Sequence, residues 1–524
     1  MTALRPADTG DARDAPARSG TAAAGRGIAG TARGSLFGLA GSAANAVFGF
    51  VLVTIVTHGL GARGAGAVFA GVAAFTLASN ALKLGADTAL VRFVSRDLAH
   101  TDGAGVPGLL RIAVLPPLVA STAVAAAAVP LAPGLAGWLL PDLSPGQGTA
   151  VLRLFAVFLP VTTVALVLLG ATRGYGSVVP FVGVEQIGKP VLRVLLAVPL
   201  VLLAPGVVTL SAAWLAPGVL GAAAAWLALR RALRSRPRSP QHTTPAGEFW
   251  SFAGPRAISS IFDIAAVWIG VILLSVLGTS AEAGVYTALG RLVTAGTLLQ
   301  LAVRLAVAPQ LGRLLADGDR AGAHRLHRLS TRWIALFSWP VFVLLAAFPR
   351  TVLALFGADF GPGAPGLVVL ATASLVNVAV GNAQTALLMA GRSVPNLVVA
   401  GAAFAVQLCF GIWLVPRYGV LGAAVSFGLA IVVDNGASAW LVRRRLGFGA
   451  VDRGYLLAAL ITIGAVAPLA FLIRVLCGDT FAGTLFGILL SIVAFCALVR
   501  RYRVPLGVAE FFGVLRKRRA ENSP

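Results

Sequence analysis

Charge is what this sequence has least of. Only 12% of its 524 residues are Asp, Glu, Lys or Arg, about half the share of an ordinary soluble domain, while 58% are apolar. So few charges cannot cover a water-facing globule, which leaves no room for a soluble catalytic domain. Cysteine is scarce too. Cys409, Cys477 and Cys496 all fall inside apolar runs, where a thiol serves as a small packing residue, so neither a disulfide framework nor a metal centre is expected and no cofactor is implied. The first 33 residues lack the apolar core of a signal peptide. Rich in Ala, Gly, Arg and Asp, they read as a disordered tail, with the first apolar segment acting as its own insertion signal.

Long apolar stretches fill the rest. They fall at roughly 35–58, 64–91, 111–132, 150–172, 178–203, 207–229, 257–277, 283–308, 333–355, 365–389, 394–415, 419–442, 454–476 and 480–499. Most reach the roughly 20 residues that a helix needs to cross a bilayer. Lipid offers no hydrogen bonds to exposed backbone, and continuous rather than alternating apolar runs favour helices over a barrel. The fold class is therefore an all-α polytopic membrane protein of about fourteen transmembrane helices.

The formal charge of +23 would suggest nucleic acid in a soluble chain, but its placement points elsewhere. Of 42 Lys and Arg residues, 32 fall in the tails and alternate loops of one face, so the positive-inside rule places both termini in the cytoplasm of a plasma (inner) membrane protein. No nucleic-acid partner is expected; membrane lipids are. Trp226, Trp250, Trp333, Trp413 and Trp440 lie near span ends, as headgroup anchors do.

The chain also repeats itself. Leu60-Gly61, Gly66 and Phe69 resemble Leu277-Gly278, Gly284 and Tyr286 about 217 residues later, and Ala225-Trp226-Leu227 before Arg230 resembles Ala439-Trp440-Leu441 before Arg443. The implied organisation is a tail (1–33), an N-lobe of six helices (34–229), a polar cytoplasmic linker (230–256), a C-lobe of six (257–442), a final helix pair (443–500) and a basic cytoplasmic tail (501–524).

An ionisable group inside a span costs at least about 2.5 kcal/mol on insertion scales, so each should face the bundle interior. The spans hold Lys83 and Asp87, then Glu185, Lys189 and Arg193, then Asp263, Arg291, Arg304 and Asp434. At about 100° per residue, Glu185, Lys189 and Arg193 share one stripe, Asn80, Lys83 and Asp87 another, and Arg256 shares a face with Asp263. Such stripes either line a lumen for an anion or brace helices as ion pairs. Arg291 and Arg304 are about 220° apart on a straight helix and should not face one cavity. Asn45, Asn80, Gln300, Asn377, Asn382, Gln384 and Gln407 are suited to interhelical hydrogen bonds or to sugar hydroxyls. Gly183 to Pro190 imitates a P-loop, but Pro190 stands where Ser or Thr must hold magnesium, and the segment lies in a span.

Taken in order, certain residues resemble a known family. They are Asn45 and Gly49, Leu60-Gly61 with Gly66, the run from Leu84 to Phe93, Leu169-Gly170 with Arg173, Gly284 and Tyr286 with Arg291, and Pro309 with Gly318-Asp319. Further on come Leu355-Phe356-Gly357 with Phe360, Ala390-Gly391-Arg392 with Asn396, and Gly419-Val420-Leu421-Gly422. Their spacing resembles the multidrug/oligosaccharidyl-lipid/polysaccharide (MOP) exporter superfamily over roughly Ser35 to Arg500, and within it the polysaccharide and lipid-linked-oligosaccharide flippases. The resemblance implies two lobes around a cavity that opens alternately to each side, and a substrate glycan carried on a polyprenyl pyrophosphate. Partnership with glycan-assembly enzymes of the same pathway is expected with it, and the longest outward loop, about Ala132 to Thr149, carries one acid, Asp142, and no His, so no enzymatic activity is expected. Drug exporters of the superfamily often carry an acidic residue in the first helix, which this first span lacks. A cation-coupled multidrug exporter and a peptidoglycan-precursor flippase are the alternatives. The expected substrate-binding residues are Lys189, Arg193, Arg291, Glu185, Lys83, Asp87, Arg256, Asp263, Asn45 and Asn80.

Overall fold

A computed structural model describes residues 18–101, 103–234, 245–390 and 393–507. The start of the N-terminal tail, most of the polar linker, Arg392 and the basic C-terminal run lie outside the described residues. No strand occurs among those described. Among the described residues, twelve helices are long and apolar enough to cross a membrane: α1 (Phe37–His100), α2 (Val106–Leu139), α3 (Pro145–Gly174), α4 (Val179–Leu203), α5 (Val207–Arg234), α6 (Ala246–Leu277), α7 (Ser280–Ala316), α8 (Arg320–Ala347), α9 (Ala358–Leu387), α10 (Pro395–Leu446), α11 (Arg453–Cys477) and α12 (Phe481–Arg501). The chain is a multi-pass membrane protein.

Two of these helices, of 64 and 52 residues, are about twice the length of one crossing. Each breaks at a glycine with a left-handed backbone, Gly61 (φ 65°) in α1 and Gly419 (φ 50°) in α10, a conformation that costs a side chain with a Cβ dearly. A second interruption in α1, at residues 83–85, carries Leu84 (φ 54°), the one positive-φ residue besides glycine among those described, followed by Gly85 (φ 74°).

Two expected boundaries shift. Helix begins at Arg18, inside the expected tail, because extending an existing helix fixes only one residue per added hydrogen bond. The linker expected at 230–256 is shorter: α5 continues to Arg234 and α6 starts at Ala246. Basic residues in the last turn of α5 suit the negative end of its dipole, and burial of Phe249 and Ala253 fixes the first turns of α6.

The apolar core shows how the bundle is closed. One large cluster, including Val53, Phe69, Phe155, Leu274, Leu289 and Leu367, joins both halves of the chain at the end where the loops are poor in Arg. At the Arg-rich end the core divides. Phe93, Leu109, Leu169, Leu229 and Phe249 form one cluster, and Val307, Leu311, Trp339, Leu387 and Tyr455 form another. The molecule is therefore sealed at its charge-poor end and parted toward its basic end.

The seal is built on the two repeats. A Cβ on Gly66 of α1 would overlap the carbonyl oxygen of Ser280, and one on Gly284 of α7 would overlap that of Ala62. Each glycine thus meets the residue four positions before its counterpart, the reciprocal contact that a two-fold relation between lobes produces. Nearby, the Ser275 hydroxyl donates to the Leu139 carbonyl (2.6 Å) and the Ser280 N–H donates to Asp142 (2.6 Å). At the basic end, the start of α6 stays with the N-terminal half through Arg96 and Glu248 and through Gly85 against the Ala253 carbonyl.

Trp226, Trp413 and Trp440 are more than half exposed at helix ends, as anchors should be. Trp333 is not; it is buried, because the neighbouring helices cover that turn of α8. The three cysteines are exposed on outward helix faces rather than packed inside.

Candidate functional site

Among the described residues, two cavities within the bundle differ in charge. The first, ≈ 250 Å³, lies among α1, α3, α4 and α5, and is closed on its far side by α6 and α7. Its walls carry Asn45, Asn80, Glu185, Lys189, Arg193 and Arg291, with Trp214 and Trp268 as aromatic surfaces. Six of the ten expected residues therefore meet in one place. Three cations face one carboxylate.

Helix α4 positions most of that charge. Its residues Val182–Gly188 form a widened π-helical turn immediately before Pro190, whose ring nitrogen cannot donate to the preceding turn. The widening sets Glu185 one turn from Lys189, and the two pair at 2.5 Å. Lys189 is almost fully buried and runs under Gly221 of α5, where a Cβ would come within 2.6 Å of its Cε. Arg193, one turn on, stacks on Trp214 with its Cζ 3.7 Å from the ring centroid and donates from Nε to the Trp214 carbonyl (2.9 Å). Its terminal nitrogens remain available. The segment that imitates a P-loop is this helical turn, with no strand before it.

Arg291 arrives from the other half of the chain. Its guanidinium crosses to Gly49 of α1, where a Cβ would stand 3.5 Å from one terminal nitrogen, and lies 5.9 Å from the Trp268 ring centroid. Among the described residues no carboxylate pairs with it. Arg304, on the opposite side of the same helix, lines the second cavity, as their angular separation requires.

That second cavity, ≈ 570 Å³, lies in the C-terminal half. Asp263 and Asp434 face Arg304 there, so carboxylates outnumber cations, and Asn377, Gln384, Asn396 and Gln407 add amides. Several of the expected interhelical bonds are present: Gln384 donates to Asp434 (2.6 Å), Gln407 to the Ala266 carbonyl (3.0 Å), and Asn377 meets Gln300 at 3.5 Å. Asn382 is buried away from the cavity, consistent with its offset from Asn377.

Three expected residues line neither cavity. Lys83 pairs with Asp87 (3.1 Å), and Arg173 of α3 reaches the same carboxylate (3.4 Å), so this stripe braces α1 against α3. Arg256 is exposed and does not line the cavity that holds Asp263. Sequence reasoning did not assign a role to Trp214 and Trp268; tryptophan inside a span, away from its ends, was the available signal.

Comparisons place this architecture. The chain superposes on a structure described as the lipid II flippase MurJ, inward closed conformation, with TM-score 0.72 at 11% identity, covering 88% of this chain and 97% of that one. At this identity the likeness is one of fold. A structure described as a multidrug resistance MATE family transporter of the MOP superfamily matches in its inward-facing form with TM-score 0.65 at 16% identity, covering 77% of this chain and 94% of the other. An outward-facing form matches with TM-score 0.59 at 17% identity, covering 80% and 95%. Residues 148–364 match the model of a family described as polysaccharide biosynthesis protein. No curated protein matches the sequence.

Proposed function

We propose that this MOP-fold protein is a flippase that carries a polyprenyl-pyrophosphate-linked oligosaccharide or polysaccharide precursor from the cytoplasmic to the outer leaflet of the plasma membrane by alternating access. The observation that carries the reading is the surplus of cations in the first cavity, above all Arg291, which has no carboxylate partner there. A guanidinium fork holds two phosphate oxygens at once, and a stacked Arg193 and a buried Lys189 add charge that a pyrophosphate can satisfy. Asn45 and Asn80 supply donors and acceptors for sugar hydroxyls. The family matched over 148–364 supports a glycan substrate.

The basic end faces the cytoplasm on this reading, so the parted side of the bundle admits substrate from the inner leaflet. An inside-negative potential contributes about 2.3 kcal/mol per charge per 100 mV toward outward movement of the anionic headgroup. Enzymes that assemble the same glycan are its partners. A second reading, cation-coupled drug export, is favoured by one observation, the two carboxylates of the second cavity.

Restoration of surface glycan in a strain lacking its own lipid-linked-glycan flippase separates the two. Expected is restoration by the native protein, loss with Arg291→Ala, and no resistance to lipophilic cations. Resistance to such cations that disappears with Asp263→Asn and Asp434→Asn, without glycan rescue, overturns the flippase assignment.

A further inference from the structure

A third cavity lies outside the transport path, on the basic face of the C-terminal half. It measures ≈ 340 Å³ and is walled by one face of α8, with Ala321, His324, Arg325, Arg328, Leu329 and Arg332 on it, and by Asp452 from the connection between α10 and α11. We propose that it binds the phosphodiester headgroup of an anionic phospholipid of the cytoplasmic leaflet.

The wall is built, not accidental. Arg332 ties three segments together: it pairs with Asp452 and donates to the Pro505 carbonyl (3.0 Å) just past α12. A Cβ on Gly454 would collide with its guanidinium, so the absence of a side chain there makes room for it. Asp452 is also the N-cap of α11, accepting from the Tyr455 N–H (2.7 Å). The carboxylate that lines the cavity, Asp452, is thereby neutralised and spoken for.

Two cations remain uncompensated. Arg328 donates its Nε to the Gly449 carbonyl (3.3 Å), which leaves its two terminal nitrogens for a ligand, and Arg325 is exposed with no hydrogen bond or ion pair among the described residues. His324, stacked on Phe448 with centroids 5.2 Å apart and fixed at Gly449, closes one side. Convergent guanidinium donors with no opposing charge are suited to a phosphate.

Position selects lipid over a soluble anion. The apolar run of α8 begins at Trp333, directly after Arg332, so the cavity lies where that helix passes from charged to apolar surface, at headgroup depth. Val451, next to Asp452, is 58% exposed, and Val504, next to Pro505, is 80% exposed, so apolar side chains stand beside the charged wall. An exposed apolar rim beside a basic recess fits a ligand with a phosphate at one end and acyl chains at the other, and basic pockets between spans on the cytoplasmic side are known to take such headgroups. The inference rests on the proposed orientation and not on the transported substrate.

The test uses the full-length protein in neutral detergent, titrated with phosphatidylglycerol, phosphatidylcholine or inorganic phosphate, with bound lipid read by native mass spectrometry and melting temperature in parallel. Expected is retention of phosphatidylglycerol at least fivefold above phosphatidylcholine, with a rise in Tm. The double variant Arg325→Gln/Arg328→Gln should lose that preference, whereas Arg230→Gln/Arg231→Gln, a basic pair elsewhere on the same face, should keep it. If the double variant does not purify, Arg325→Gln alone carries the test, since its side chain has no structural partner, and a loss of about fivefold is expected. Equal retention of the two lipids, a preference that survives in the Arg325 and Arg328 variants, or an equal Tm rise with millimolar inorganic phosphate overturns the proposal.

Discussion

Arg291, Arg193 and Lys189 carry the same charge into one cavity but are held in different ways, and substitution should separate them. Lys189 is bound to Glu185 and roofed by Gly221, and Arg193 is clamped by the ring and carbonyl of Trp214, whereas Arg291 reaches Gly49 and a distant Trp268 ring without a hydrogen bond or ion pair among the described residues. Removing Arg291 therefore costs the fold little. With roughly 1.5–3 kcal/mol for each hydrogen bond to a charged group, Arg291→Ala should lower transport on the order of 10- to 100-fold with an unchanged Tm, and Arg291→Lys, which keeps charge but not the fork, should fall between. A drop in Tm that parallels the loss of transport would assign Arg291 to the scaffold. Lys189→Ala should instead lower both, because the half-buried Glu185 is left without its partner. The Glu185, Lys189 and Arg193 stripe was legible in the sequence because i, i+4 spacing is local. Lys83 and Asp87 have the same spacing and a different fate. Arg173, 86 positions away, brings a second cation to the same carboxylate, and no local pattern reports that contact.

At the scale of helices, the apolar runs determined nearly every element, but not where two runs join. The glycines at 61 and 419 let segments continue through a kink that composition alone shows as a break. Gly66 and Gly284 were visible as a repeated pair, though not as partners. Their mutual approach leaves no space for a side chain, so Gly66→Val should push α1 and α7 apart. Overpacking of this kind typically costs about 1–3 kcal/mol. Purified Gly66→Val and Gly284→Val should each melt several degrees below the native protein. Gly436 provides the control, since a Cβ there meets nothing within 4 Å; Gly436→Ala should be neutral or slightly stabilising by way of helix propensity. Native-like melting of Gly66→Val would mean the two helices are not in backbone contact in solution.

For the whole molecule, nothing in composition or periodicity indicates which end of the bundle is shut; that emerges only from the division of the core. Arginine bias and core division together make a joint prediction. In a background with Cys409, Cys477 and Cys496 replaced by serine, a cysteine at the exposed Gln147 should react with an impermeant thiol reagent in intact cells, and one at Ala321 should not. A cysteine at Thr76, on the wall of the cationic cavity, should react in inside-out vesicles and stay protected in intact cells, because the path from the outside is closed at the contact between α1 and α7. Asp142 offers a way to loosen that closure without touching the cavity. Its carboxylate accepts from the Ser280 N–H at the start of α7, so it both satisfies a free backbone donor and suits the positive end of the helix. Asp142→Ala removes that tie between the lobes and should raise labelling of the Thr76 cysteine from outside severalfold, by shifting the population toward an outward-open form. Because Asp142 lines neither cavity, its effect on substrate affinity should be small compared with its effect on labelling. Unchanged protection in Asp142→Ala would locate the seal in the Gly66 and Gly284 contact alone, and labelling of the Thr76 cysteine from outside in the native protein would overturn the assignment of the closed end.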